Sequence, residues 1–267
     1  MLFENKYLYT VRKILLVFWR IWFYTLAAVP VVLFFVPLSL LLLLPNGYRP
    51  VFWVARSIWA PFVLFGCGFW AQKKGPFPEQ EQSAILIANH SSYIDIMLML
   101  RMRKTPFVFV GKKELVQIPI FGHLYKRAAI MVDRSSAESR FAVYERAQRV
   151  IQKGYSVCIF PEKEYWDETI LLNPFKKGAF KLAKTHNLPI RPFVFLDCKR
   201  KFPWYTTHGH PGPLRAKALP EITLSEIKKT SIETLSLQAH KRIKEALEKD
   251  PKGKAIEAIA VWKKRTA

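Results

Sequence analysis

The chain has 267 residues, 51% of them hydrophobic, and its 42 lysines and arginines against 20 aspartates and glutamates give a formal net charge of +22. That length holds one domain of ordinary size plus an appendage and leaves no room for two full domains. Cys67, Cys158 and Cys198 are odd in number, far apart and set in apolar runs, which excludes a disulfide-stapled fold and points to reduced, buried thiols.

Residues 1–72 are dominated by Leu, Val, Phe and Trp. No charged residue occurs between positions 21 and 48, about 28 residues where roughly 20 cross a bilayer as a helix. The run is too long and too weakly punctuated for a signal peptide. Pro30 and Pro37 each remove a backbone donor, and Leu44-Pro45-Asn46-Gly47 reads as a turn. A second apolar stretch, 57–72, is only about 16 residues long, short for a crossing. The reading for 1–72 is an apolar helical hairpin inserted in the membrane, either through both leaflets or into one. Lys6, Arg12, Lys13 and Arg20 before the apolar run, with Lys73 and Lys74 after it, place both ends on the cytoplasmic face of the inner membrane by the positive-inside rule. Arg49 and Arg56 near the turn favour shallow insertion. So large a positive charge suits an anionic leaflet or nucleic acid. The adjoining membrane segment favours the leaflet, where each Lys or Arg contributes about 1 kcal/mol. No nucleic-acid recognition module is visible, so anionic lipids are the expected partner and nucleic acid is not.

The turn-rich stretch Lys73-Lys74-Gly75-Pro76-Phe77-Pro78 opens a second unit, 73–267. Short apolar strands are expected at 84–88, 107–110, 130–132, 157–160 and 190–196, as in a sheet covered on both faces. Helical patterns fall between them at 92–102, 119–125, 136–153 and 178–185. The third is the clearest, with Ser135 or Ser136 as cap, Glu138 in the first turn and Gly154 just past the end. Ile232, Leu235, Ala239, Ile243 and Leu247 then recur at helical spacing, and the tail carrying Lys252, Lys254, Lys263, Lys264 and Arg265 reads as solvated or near lipid head groups. The fold class expected is α/β, a mixed sheet flanked by helices. His208 and His210 lie in a Gly- and Pro-rich loop without a cysteine or acidic partner at ligand spacing, so no metal site is expected.

Polar residues cluster at the strand ends, where open α/β sheets place their ligands. His90 follows the first strand in Asn89-His90-Ser91-Ser92-Tyr93-Ile94-Asp95; Lys112 and Lys113 follow the second; Asp133 and Arg134 the third; Glu162 the fourth. A histidine on a strand end with a carboxylate one helical turn on presents an oriented general base. Ser92 and Asp95 also fit a reciprocal helix cap, in which Asp95 does no more than start the next helix.

These blocks together resemble the membrane-bound glycerolipid acyltransferases, the family of bacterial 1-acylglycerol-3-phosphate acyltransferase. His90 and Asp95 match the HxxxxD motif; Gly111-Lys112-Lys113-Glu114-Leu115 with Ile118-Pro119-Ile120-Phe121-Gly122 is similar to the second block. Ile130-Met131-Val132-Asp133-Arg134, Phe160-Pro161-Glu162 and Leu188-Pro189-Ile190-Arg191-Pro192 resemble the remaining three. The resemblance implies transfer of an acyl group from an acyl thioester to the sn-2 hydroxyl of 1-acylglycerol 3-phosphate, giving phosphatidic acid. It implies His90 as the base, Asp95 as the partner that orients it, and Arg134, Lys112 and Lys163 as holders of the acceptor phosphate. Glu162 is expected to hold a glycerol hydroxyl or to orient Arg134. Acyl-coenzyme A or acyl-carrier protein would be the co-substrate, with no tightly bound cofactor. The chain departs from the pattern where Lys163-Glu164-Tyr165 replaces the usual Gly-Thr-Arg, and Lys176 or Lys177 could compensate as point charges. That departure keeps open another lyso-lipid acceptor, an amino-lipid or a lysophospholipid with a larger head group. A non-catalytic basic protein tethered to the membrane is the competing reading from a different class.

Overall fold

The computed structural model describes residues 2–78, 82–133, 136–162, 167–205 and 208–266. The N-terminal arm runs out through α1 (Leu2–Leu33) and α2 (Phe35–Leu43), turns at residues 44–47, and returns through α3 (Tyr48–Val54), a π-helical turn (Ala55–Trp59) and α4 (Ala60–Gly66). The expected hairpin is therefore present, but its second arm ends early. Gly68 sits at φ 76, a left-handed conformation that a Cβ disfavours, and from there the chain turns into strand β1 (Phe69–Lys73). Residues 69–72, expected to close the hairpin, thus belong to the sheet.

The sheet and its helices follow as β2 (Ile85–Ala88), α5 (Ile94–Met102), β3 (Phe107–Lys112), α6 (Phe121–Ala128), β4 (Ile130–Val132), α7 (Ala137–Gln152) and β5 (Ser156–Ile159). Next come α8 (Gly178–Thr185), β6 (Ile190–Phe195), the single turn α9 (Cys198–Lys201), β7 (Gly212–Ala218), α10 (Leu224–Lys229), α11 (Ile232–Glu248) and α12 (Lys254–Thr266). The seven strands lie in the order β1-β7-β6-β2-β5-β3-β4. All neighbours are parallel except β6 and β7, so β1 and β7 oppose the other five and the sheet is mixed.

Alternation along β2 divides the core into two layers. Leu86 and Ala88 face α4 and α5, whereas Ile85 and Ile87 face the layer that holds α7, α8 and α11, and all four are fully buried. Ser136 caps α7 by accepting from Ser139 N, which settles which of the two serines does so, and Gly154 takes φ 76 just past its end. The tail forms α12, which buries Ala255 and Ala258 and sets Trp262 against Tyr205 with ring centres 4.6 Å apart, while Lys252, Lys263 and Lys264 are exposed. A register that repeats apolar residues at 255, 258 and 262 lies beneath the lysines that dominate the reading of composition.

Helix α1 is held against the domain along one stripe. Leu16, Arg20, Phe23 and Leu26 are buried, and Trp19 Nε1 donates to Cys67 O at 3.2 Å. The opposite face leaves Ile14, Leu15, Phe18, Ile21, Trp22, Val29 and Val32 exposed, and α2 buries no residue at all. So much uncovered apolar surface suits contact with a membrane or with another protein. Residues Tyr7–Leu33 are long and apolar enough to cross a membrane, about 40 Å at 1.5 Å per residue. Arg20, read from the sequence as a charge that sets membrane orientation, is turned inward. Its guanidinium lies 3.6 Å from the centre of the Phe202 ring and Nη2 donates to Tyr205 O at 3.1 Å.

Candidate active site

The site forms where β2 ends. The side chain of Asn89 ties the ends of β2 and β6 together: Oδ1 accepts from Phe195 N at 2.8 Å and Nδ2 donates to Phe195 O at 3.0 Å. The next residue is therefore held at a defined height above the sheet edge. His90 N donates to Glu162 Oε1 at 2.6 Å, which joins the end of β2 to the segment after β5. The imidazole stacks on Phe160, ring centres 4.2 Å apart and planes 19° apart, and meets Trp204 edge-on at 5.3 Å. The histidine side chain is 15% exposed and Asp95 is fully buried.

His90 Nδ1 lies 2.9 Å from Asp95 Oδ2, and the same oxygen accepts from Ser91 N at 2.7 Å and Ser92 N at 2.8 Å. Asp95, in the first turn of α5, thus binds the backbone that leads into the helix and is also the partner of the imidazole. Only half of the reciprocal cap is present: Asp95 accepts from Ser92 N, but Ser92 Oγ donates to Phe202 O and accepts from Ile94 N rather than Asp95 N. A carboxylate that accepts from Nδ1–H leaves the basic lone pair of the neutral ring on Nε2. Below it, burial pushes the Cys198 thiol well up, and the Asp95 and Asp197 carboxylates push it further. Cys67, Cys158 and Cys198 are all buried and free.

Glu162 lies beside the His90 backbone. Oε1 receives His90 N and Oε2 receives Asn173 N at 3.0 Å and Asn173 Nδ2 at 3.3 Å, while the residue is 4% exposed. Burial pushes its carboxyl pKa up, and the donors from His90 and Asn173 act against that shift. Both oxygens accept hydrogen bonds from the protein. Arg134 and Lys163 lie outside the described residues. Lys112 is exposed at the end of β3, three positions beyond Phe109, whose ring stacks over Phe160 at 6.1 Å. Of the two compensating lysines, Lys177 is drawn to Glu233 on α11. Phe160, Asn173 and Trp204 were not found from the sequence. The aromatic run Phe202-Pro203-Trp204-Tyr205 was the available signal, but nothing in a linear pattern says that it returns over His90.

Residues 72–196 match the family model described as Acyltransferase, a span that holds β2 to β6 with His90, Asp95, Phe160, Glu162 and Asn173, but not Trp204. The 1-acyl-sn-glycerol-3-phosphate acyltransferase of Haemophilus influenzae is 31% identical over 207 residues, covering 75% of this chain and 84% of that protein. This chain belongs to the acyltransferase family. The Escherichia coli K12 1-acyl-sn-glycerol-3-phosphate acyltransferase is 31% identical over 160 residues, 59% of this chain and 64% of the relative. That from Limnanthes alba is 34% identical over 148 residues, so the match spans about half of the plant protein, 52%. The solved 1-acyl-sn-glycerophosphate (LPA) acyltransferase PlsC of Thermotoga maritima superposes with a TM-score of 0.71 at 20% identity, covering 89% of this chain and 96% of that one, and so shares its fold.

Proposed function

We propose that this protein transfers an acyl group from an acyl thioester to the sn-2 hydroxyl of 1-acylglycerol 3-phosphate, forming phosphatidic acid. The observation that carries the reading is the 2.9 Å contact between His90 Nδ1 and a buried Asp95 carboxylate that three donors hold in place. An alcohol is a poor nucleophile until a base accepts its proton, and an imidazole is suited to that work near neutral pH. His90 Nε2 takes the hydroxyl proton as the oxygen attacks the thioester carbonyl. The C–S bond then breaks and the imidazolium returns the proton to the departing thiolate. Asp95 stabilises the imidazolium without taking the proton. Direct transfer needs no serine or cysteine nucleophile, and buried, protonated thiols suit that role poorly.

Arg134, Lys112 and Lys163 hold the acceptor phosphate in this reading, through charge-assisted hydrogen bonds. Loss of ground-state binding raises KM and leaves kcat in place. Arg134→Ala is therefore expected to raise the KM for lysophosphatidate about 10-fold or more with kcat within a factor of about two. A fall in kcat alone would place Arg134 at the reacting centre. The donor carrier is coenzyme A or acyl-carrier protein. The apolar face of α1 and α2, with the basic residues around it, keeps the domain on the cytoplasmic leaflet, where both acyl chains already lie. The residues that replace Gly-Thr-Arg after Glu162 favour a test with several head groups. Assaying one acyl donor against lysophosphatidate, lyso-amino-lipid and larger lysophospholipids should show highest kcat/KM for lysophosphatidate. A preference for a larger head group would move the reading to that acceptor, and no thioester consumption with any of them would leave a tethered binding protein.

Glu162 has the role of a positioning residue. Glu162→Gln keeps the shape but turns one acceptor into a donor facing either His90 N–H or the Asn173 donors, and a mismatched buried pair costs about 1–3 kcal/mol. The expected result is a kcat lowered about 10-fold or more with an unchanged KM for the acceptor. A raised KM with normal kcat would instead assign Glu162 to the glycerol hydroxyl.

A further inference from the structure

The catalytic imidazole has contacts to a part of the chain that the proposed reaction does not use. Trp204 meets the His90 ring at 5.3 Å with the planes 83° apart, and meets Tyr93 at 4.5 Å and 81°. Phe160 covers the imidazole from another side at 4.2 Å. Phe160 stacked on the imidazole and Trp204 edge-on to it restrict the rotation of His90 about its side-chain bonds, while Asp95 fixes Nδ1. The direction of Nε2 is set by all three.

Trp204 is not on a strand or a helix, so something must hold it. Ser92 Oγ, inside the same motif as His90, donates to Phe202 O two residues before the tryptophan. From the other side comes Arg20 of α1, buried in a helix that is otherwise apolar for a full turn on either side. Its guanidinium covers the Phe202 ring at 3.6 Å, and Nη2 donates to Tyr205 O at 3.1 Å and His208 O at 3.4 Å. Trp19 and Phe23 of the same helix pack against Phe202 at 5.1 and 4.8 Å. Nη2 is thus spent on carbonyls that follow Trp204, while the face of the guanidinium covers Phe202 before it, so Arg20 touches the chain on both sides of Trp204; Nε has no partner among the described residues.

Given His90 as the base, we propose that Trp204 is a positioning residue for its imidazole and that Arg20, on the membrane-facing helix, acts on turnover by holding Trp204 in place. The apolar arm then does more than anchor the enzyme: it completes the support of the base. Misplacing a reacting group by about 1 Å costs up to about 100-fold in rate without weakening substrate binding.

The test uses the full-length protein in mixed micelles with oleoyl-coenzyme A and 1-oleoyl-lysophosphatidate, with His90→Ala as control. Trp204→Ala should lower kcat about 10- to 100-fold with KM for both substrates within about twofold, and Trp204→Phe, which keeps an aromatic ring, should recover most of the loss. Arg20→Gln should lower kcat similarly, and the double variant should be no slower than Trp204→Ala alone, because the two act through one contact. If Arg20→Gln does not fold, Arg20→Lys replaces it, since lysine keeps the charge and loses the fork. Wild-type kcat in Trp204→Ala overturns the role of Trp204; multiplying effects in the double variant overturn the role of Arg20. Normal turnover by His90→Ala would instead overturn the base assignment itself, so the two failures are told apart.

Discussion

His90→Ala is expected to lose acyl transfer by about 10⁴-fold, the upper range for a positioned general base, with folding and membrane association unchanged. The ring is 15% exposed at a strand end, and its removal opens space at an edge that already meets solvent. Its backbone N–H, which binds Glu162, is retained. Asp95→Asn tests the second half of the pair. An amide oxygen can still accept from Ser91 N and Ser92 N, so α5 keeps its start, but the charge that stabilises the imidazolium is gone. A loss of about 10³- to 10⁴-fold in kcat is expected, by analogy with the carboxylate of hydrolytic triads. Thioester release measured with purified protein decides both. Wild-type turnover by His90→Ala would remove the mechanism; wild-type turnover by Asp95→Asn would reduce Asp95 to a helix cap.

The second large effect is on stability. Arg215 on β7 is buried between two buried carboxylates, with Nη2 donating to Asp197 Oδ1 at 2.6 Å and Nη1 to Asp250 Oδ1 at 2.7 Å. The three residues join β7, the start of α9 and the connection between α11 and α12. Removing one partner of a buried ion pair leaves the others uncompensated, which costs about 3–5 kcal/mol. Arg215→Ala should therefore unfold at markedly lower denaturant, whereas Arg215→Met with Asp197→Asn and Asp250→Asn should recover part of the loss. The sign of the pH dependence follows from Asp250. Burial pushes its carboxyl pKa up, but the Arg215 hydrogen bonds and charge outweigh that and hold it below the usual carboxylate range. A carboxyl lowered in the folded state binds fewer protons there than when unfolded, so its contribution is complete above the unfolded carboxylate pKa of about 4 and is lost as pH falls below it. The difference in stability between wild type and Arg215→Ala should accordingly shrink in acid. A difference that stays constant from neutral pH into acid would mean that the ion pairs do not carry it.

Much of this was legible in residue order. Five strands and five helices of residues 73–267 appear close to where apolar periodicity places them, because runs such as Ile85-Leu86-Ile87-Ala88 are buried on both faces and need no context to be read. Strands β1 and β7 were not legible. Phe69-Trp70-Ala71-Gln72-Lys73 continues the apolar arm without a break in composition, and Gly212 to Ala218 mixes Arg215 and Lys217 into a strand whose burial depends on Asp197 and Asp250. Ile120 is a further case: a β-branched residue at φ 65, with Phe121 N bonded to Pro119 O at 2.6 Å in a γ-turn, is not what propensity selects.

By itself, the order of residues determined that a histidine ends a buried strand, that a carboxylate stands one helical turn beyond it, and that an apolar, positively flanked arm precedes both. Those are local facts, set by spacing of five or fewer residues or by composition over tens of residues. Only the tertiary structure decided what surrounds the pair. Glu162 at the His90 backbone, Phe160 and Trp204 at its ring, and Arg20 behind Trp204 lie 72, 70, 114 and 70 positions from His90 along the chain. Contacts over such separations depend on sheet order and loop path, which no short window of sequence contains.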